Sequence, residues 1–127
     1  MATFSILVTS APFDTQGSHS ALQFVQAALA QGHEIQGVFF YQAGIHNANA
    51  WAQAPADELQ LPDAWRALQA QGVALHVCNT AAARRGLLSE PESTERGLPA
   101  HNLQAPMQAS GLGQFIEMLN VDRVVQF

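Results

Sequence analysis

The chain has no lysine, and its basic charge rests on five arginines against ten acidic residues, for a net charge of −5. Direct nucleic-acid binders carry clustered Lys and Arg that displace counterions from phosphates, so that class is excluded. Charged residues of both signs reach only 12%, low against the roughly 25% of ordinary soluble domains, while apolar residues reach 48%. A surface this poor in charge is expected to be covered in part by another subunit. No apolar run approaches the ~18 residues of a membrane span, and Met1 to Val8 carry no basic leader pattern. The expectation is a soluble, cytoplasmic protein without membrane contact.

Cysteine is equally scarce: Cys78 stands alone. A single thiol forms no internal disulfide, and there is no Cys-x-x-Cys and no Cys/His ligand spacing. His19, His33, His46 and His101 are scattered along the chain. No Gly-x-Gly-x-x-Gly follows the first strand, and a chain without lysine has no Gly-Lys-Ser/Thr, so neither nucleotide nor metal is assigned and no cofactor is expected. Any thiol chemistry has to involve a second molecule.

The 127 residues suit one domain, 1–127. Phe4 to Val8 is apolar throughout, as in a central strand covered on both faces. Ala21, Leu22, Val25, Ala28 and Leu29 recur at helical spacing up to Gln31-Gly32, with Ser18 or Ser20 as the candidate N-cap. Glu34 to Tyr41 reads as a second strand, followed by an irregular connection through Gly44 to Asn49. A helix carrying Leu61, Ala64, Trp65 and Leu68 ends at Gln71-Gly72, and the strand Val73 to Val77 leads into Cys78. A short helix spans Ala81 to Arg85 before Gly86. Residues 87–109 hold Pro91, Pro99 and Pro106 without periodicity and read as a loop. The last helix, opened by Ser110-Gly111-Leu112-Gly113, carries Phe115, Ile116 and Leu119, and the strand Arg123 to Phe127 closes the chain. Alternating strands and helices predict a three-layer α/β/α sandwich on a mainly parallel sheet of five-stranded type.

Cys78 ends its strand where α/β folds open their ligand crevice, and the helix that begins at Asn79-Thr80 offers N–H groups and partial positive charge that favour a thiolate. Asn79 and Thr80 are helix-capping residue types. The competing reading is a small buried hydrophobe. Arg84 and Arg85 either meet an anionic partner near the thiol or complement the helix C-terminus. His76 shares a strand face with Cys78, which permits a Cys-His pair or a histidine facing the core. Trp51 is a candidate contact anchor or an ordinary rim aromatic.

Thr9, Val38-Phe39-Phe40-Tyr41, Gly44 with Asn47-Ala48-Asn49, Cys78 before Ala81 to Gly86, Ser110 to Gly113, and Asp122 to Phe127 together resemble the TusD/DsrE family over nearly the whole chain. The resemblance implies a DsrE-like fold and a sulfurtransferase subunit, with Cys78 at the family's reactive cysteine. It implies a cytoplasmic heterohexamer with TusB- and TusC-like small subunits. Sulfur would arrive as a persulfide from a TusA-like donor, reside on Cys78 and leave to a TusE-like acceptor, in the relay that forms 2-thiouridine at the tRNA wobble position. Family members that work with DsrF and DsrH serve sulfur oxidation instead, and a non-catalytic scaffold subunit is the third alternative.

Overall fold

The computed structural model describes residues 1–127. Five strands build one sheet: β1 (Thr3–Val8), β2 (Glu34–Phe40), β3 (Ala74–Cys78), β4 (Gln108–Ser110) and β5 (Arg123–Gln126). Their order is β4-β3-β2-β1-β5, and every pairing is parallel. Ile6, Val8, Val38, Phe39, Phe40, Leu75 and Val77 are wholly buried, which is why β1 to β3 read as apolar runs rather than alternating ones.

Helices α1 (Gly17–Ala30) and α2 (Leu61–Ala70) cover one face. Phe24 of α1 meets Phe4 edge-on at 5.4 Å, and Trp65 of α2 meets Phe40 at 5.0 Å. Helix α5 (Leu112–Glu117) covers the other face: Phe115 lies 5.3 Å from Phe39, and Ser5 Oγ donates to the Met118 carbonyl at 2.7 Å. The three-layer α/β/α sandwich is therefore present, with one layer much thinner than the other. On that thin side Leu112, Ile116, Leu119 and Val124 remain exposed.

Both predicted helix-to-strand junctions form. Gly32 (φ 82°) and Gly72 (φ 94°) take the left-handed conformation that glycine adopts without steric cost, and His33 N–H to Ala28 O and Val73 N–H to Leu68 O close the same six-residue turn. At the chain's end, the Asp122 carboxylate accepts from Thr3 N–H at 2.9 Å and from Thr3 Oγ1 at 3.3 Å, pinning the start of β5 to β1. The Thr3 backbone bond, foremost, holds this carboxyl below its ordinary range.

Several local readings change. Neither Ser18 nor Ser20 caps α1, which starts after Gln16 without a side-chain cap; the Ser18 hydroxyl instead donates to Ser10 O at 3.0 Å. The connection after β2 is a 3-10 helix, Gln42–Ala48. Residues 87–109 are not simply a loop: α4 (Glu90–Glu95) carries a capping box between Ser89 and Glu92. Ser110 ends β4 rather than opening α5, whose N-cap is Gly111.

The strand order places the site. From β1 through β4 the chain steps in one direction across the sheet; from β4 it returns past three strands to β5 by way of α5. Right-handed crossovers put connections that run in opposite directions on opposite faces. The chain leaving β3 and the chain leaving β4 thus diverge, and a crevice opens between their carboxyl ends, as at the switch point of other doubly wound sheets.

Candidate active site

Cys78 is the last residue of β3 and also the N-cap of α3 (Asn79–Arg84), with extended backbone at φ −62° and ψ 111°. Asn79 and Thr80 are therefore the first helical residues and not its caps, and no side chain caps this helix. In the parallel register Cys78 stands directly beside Ser110 at the end of β4. The thiol sits at the mouth of the crevice that the topology creates.

The residue is only 4% exposed, yet it is not sealed in. An open cavity of about 270 Å³ reaches it. Cys78, Asn79, Thr80, Ala81 and Arg84 form one wall, Gly111 and Leu112 the opposite wall, and Tyr41 from the end of β2 completes the rim. The sulfur is free and has no hydrogen-bond partner from the protein. A reagent entering the cavity meets a thiol held by strand and helix but uncommitted to any neighbour.

His76 does not pair with that thiol. Its Nδ1 lies 3.0 Å from Ser110 Oγ, a bond that ties β3 to β4 just below the crevice. Burial pushes the imidazole below its ordinary value near 6.5, so it is neutral at physiological pH. A Cys-His dyad is thereby replaced by a structural histidine. The two arginines separate as well: Arg85 Nη1 donates to Ala81 O at 3.1 Å, fastening the end of α3, while Arg84 lines the cavity and has no protein partner. Trp51 is exposed but does not line the Cys78 cavity. Thr9 lies away from the thiol, its backbone N–H donating to Phe127 O at 2.9 Å.

Two features of the site escaped sequence reasoning. The second wall, Gly111 and Leu112, depends on β4 pairing beside β3. The loop carrying Tyr41 is set by Asn47, which is buried and bridges four groups: its Nδ2 donates to Gly44 O at 2.9 Å, Ser18 Oγ at 3.0 Å and Ser10 O at 3.4 Å, and its Oδ1 accepts from Trp65 Nε1 at 3.1 Å. Asn47 was visible only as part of the family pattern.

Residues 2–127 match the model of the DsrE/DsrF-like family. The chain belongs to the DsrE/DsrF-like family. Among curated proteins it is 48% identical to sulfurtransferase TusD of Cronobacter sakazakii (strain ATCC BAA-894) over 126 residues, covering 98% of each. It is 48% identical to sulfurtransferase TusD of Salmonella newport (strain SL254) and 47% identical to that of Enterobacter sp. (strain 638), over the same length and coverage. The E. coli ychN protein, known from a crystal structure, matches with a TM-score of 0.74 over 100% of both chains; at 17% identity that likeness shows the shared fold. Placed among these relatives, this DsrE/DsrF-like chain is a sulfurtransferase. No helix is long and apolar enough to cross a membrane.

Proposed function

We propose that Cys78 carries the transferred sulfur as a persulfide. Its thiolate attacks the outer sulfur of a donor persulfide; the new S–S bond forms on Cys78, the donor's S–S bond breaks, and the donor leaves as a thiolate. An acceptor thiolate then attacks the outer sulfur of the Cys78 persulfide, and Cys78 leaves as thiolate, so each step exchanges one S–S bond for another without net oxidation. One cysteine is sufficient because the successive thiols belong to different proteins. The observation that carries this reading is the placement of the chain's single thiol in an open cavity at the topological switch point, with no internal partner.

The family resemblance supports a setting in the cytoplasm, in a heterohexamer with TusB- and TusC-like subunits, between a TusA-like donor and a TusE-like acceptor, ending in wobble 2-thiouridine. The whole chain, 1–127, acts as one domain in this reading. The exposed apolar side chains of α5 and β5 support burial of that face by other subunits.

The 4% exposure of Cys78 favours a second reading, a scaffold in which the thiol is inert. Alkylation of the native protein separates them. The relay requires that a small maleimide modify Cys78 in the folded protein at a rate within about tenfold of a reachable thiol; labelling only after denaturation would leave the scaffold.

A further inference from the structure

Of the five arginines, three are engaged: Arg66 pairs with Asp63 at 2.9 Å, Arg85 holds Ala81 O, and Arg123 Nη1 donates to Asp122 O at 2.9 Å. Arg84 and Arg96 have neither an ion pair nor a side-chain hydrogen bond, and both are exposed. They stand in the same place. A groove of about 420 Å³ runs between α3 and α4, with Asn79, Thr80, Ala83 and Arg84 on one side and Glu92 and Arg96 on the other. Asn79, Thr80 and Arg84 also line the Cys78 cavity, so the groove adjoins the cavity.

In a chain of net charge −5, the two unpartnered cations therefore flank one groove that borders the cavity of the one thiol. The groove's only carboxylate, Glu92, is held by the capping box of α4, its Oε1 accepting from Ser89 Oγ at 3.0 Å and from Ser89 N–H at 3.4 Å, and it forms no ion pair with Arg84 or Arg96. Glu90 and Glu95 of the same helix do not line the groove. The groove is open, and its two cations come from opposite sides, Arg84 from α3 and Arg96 from the C-cap of α4.

We propose that this groove docks an acidic segment of the protein that exchanges sulfur with Cys78, its carboxylates meeting Arg84 and Arg96 while its cysteine enters the Cys78 cavity. The inference rests on the relay reading and names the chemistry of the partner that the relay requires.

The test uses three short peptides, each with one cysteine activated as its 2-thiopyridyl disulfide and flanked by Glu, Gln or Lys pairs. The Cys78 thiolate attacks the peptide sulfur, a mixed disulfide forms, and pyridine-2-thione leaves and is followed by absorbance. At low salt the Glu peptide is expected to react about five- to tenfold faster than the Gln peptide, the scale that two solvent-exposed ion pairs supply together, with the Lys peptide slowest. The Glu/Gln rate ratio is expected to approach one in about 0.5 M NaCl and in the Arg84→Gln, Arg96→Gln double variant; each protein serves as its own reference through the ratio. Equal rates for all three peptides with the wild type would overturn the docking inference and leave the relay standing. Failure of every peptide to react with the native protein, with full reaction after denaturation, would overturn the relay itself. If sulfate suppresses the Glu peptide more than chloride does at equal ionic strength, the groove holds small anions and the polypeptide assignment fails.

Discussion

Replacing Asn47 with Ala tests how the rim of the site is held. The residue is 3% exposed and ties the 3-10 helix to α1 through Ser18 and to α2 through Trp65, with further bonds to Gly44 O within the 3-10 helix and to Ser10 O. Truncation leaves the wholly buried Trp65 with an unpaired indole N–H, and the Gly44 carbonyl loses the Nδ2 donor as well. Ser18 Oγ keeps its bond to Ser10 O, so it is not orphaned. One stranded buried donor costs about 1–3 kcal/mol, and the lost bond to Gly44 adds roughly 1 kcal/mol. The expected loss is about 2–4 kcal/mol, and at roughly 4 °C per kcal/mol for a domain of this size the melting point should fall by about 8–16 °C. Urea titration measures it directly, with an unchanged slope confirming a stability effect alone. Trp65→Phe removes the donor from the other side. In a double-mutant cycle the two changes should couple by about 1 kcal/mol or more, because the double variant strands no indole N–H. Additivity within about 0.5 kcal/mol, or a loss under about 1 kcal/mol for Asn47→Ala, would refute the network as described.

Three further outcomes follow from other parts of the structure. Gly44→Ala should destabilise by about 1–3 kcal/mol, because a Cβ at that position is driven into the Val8 carbonyl at the end of β1; a urea midpoint equal to wild type would contradict that packing. His76 is held below its ordinary value by burial, so the unfolded chain binds the proton more readily than the folded one. Its contribution is full above about pH 6.5 and is lost as pH falls below that value, and His76→Gln should flatten this part of the stability curve between about pH 7.5 and 5.5. Ile116→Glu, on the exposed face of α5, should lower the assembled mass seen by native mass spectrometry while leaving circular dichroism unchanged; an unaltered assembly would remove that face from the interface.

What the sequence made legible is what local physics controls. The apolar runs of β1 to β3 announce a sheet covered on both sides, and Gly32 and Gly72 mark turns that need a positive φ. The errors arise where tertiary contacts take over. Ser18 has a capping hydroxyl, but Ser10 O and the Asn47 amide claim it. Helix α4 did carry a local signal, Ser89-Glu90-Pro91-Glu92, obscured by the prolines scattered through the same stretch. Strand β4, Gln108–Ser110, has no apolar pattern because it is a three-residue, partly exposed edge whose order comes from pairing with β3.

The candidate site divides in the same way. Cys78 at the end of a strand was readable from one segment, whereas the facing wall at Gly111 and Leu112 comes from a segment more than thirty residues away in sequence. Arg84 and Arg85 looked equivalent in the sequence. Arg84 is the last residue of α3 and Arg85 its C-cap, and the structure sends the first to the cavity and the second back to Ala81 O of the helix.

Sulfur loading tests the central claim most directly. The purified protein is incubated with a low-molecular-weight persulfide, digested under conditions that preserve S–S bonds, and the Cys78 peptide is weighed by mass spectrometry. The account predicts the mass of one added sulfur on Cys78 in the wild type, its removal when a protein thiol is then supplied, and none on the correctly folded Cys78→Ser variant. A wild-type Cys78 peptide without the added sulfur, or equal loading of the serine variant, would contradict it.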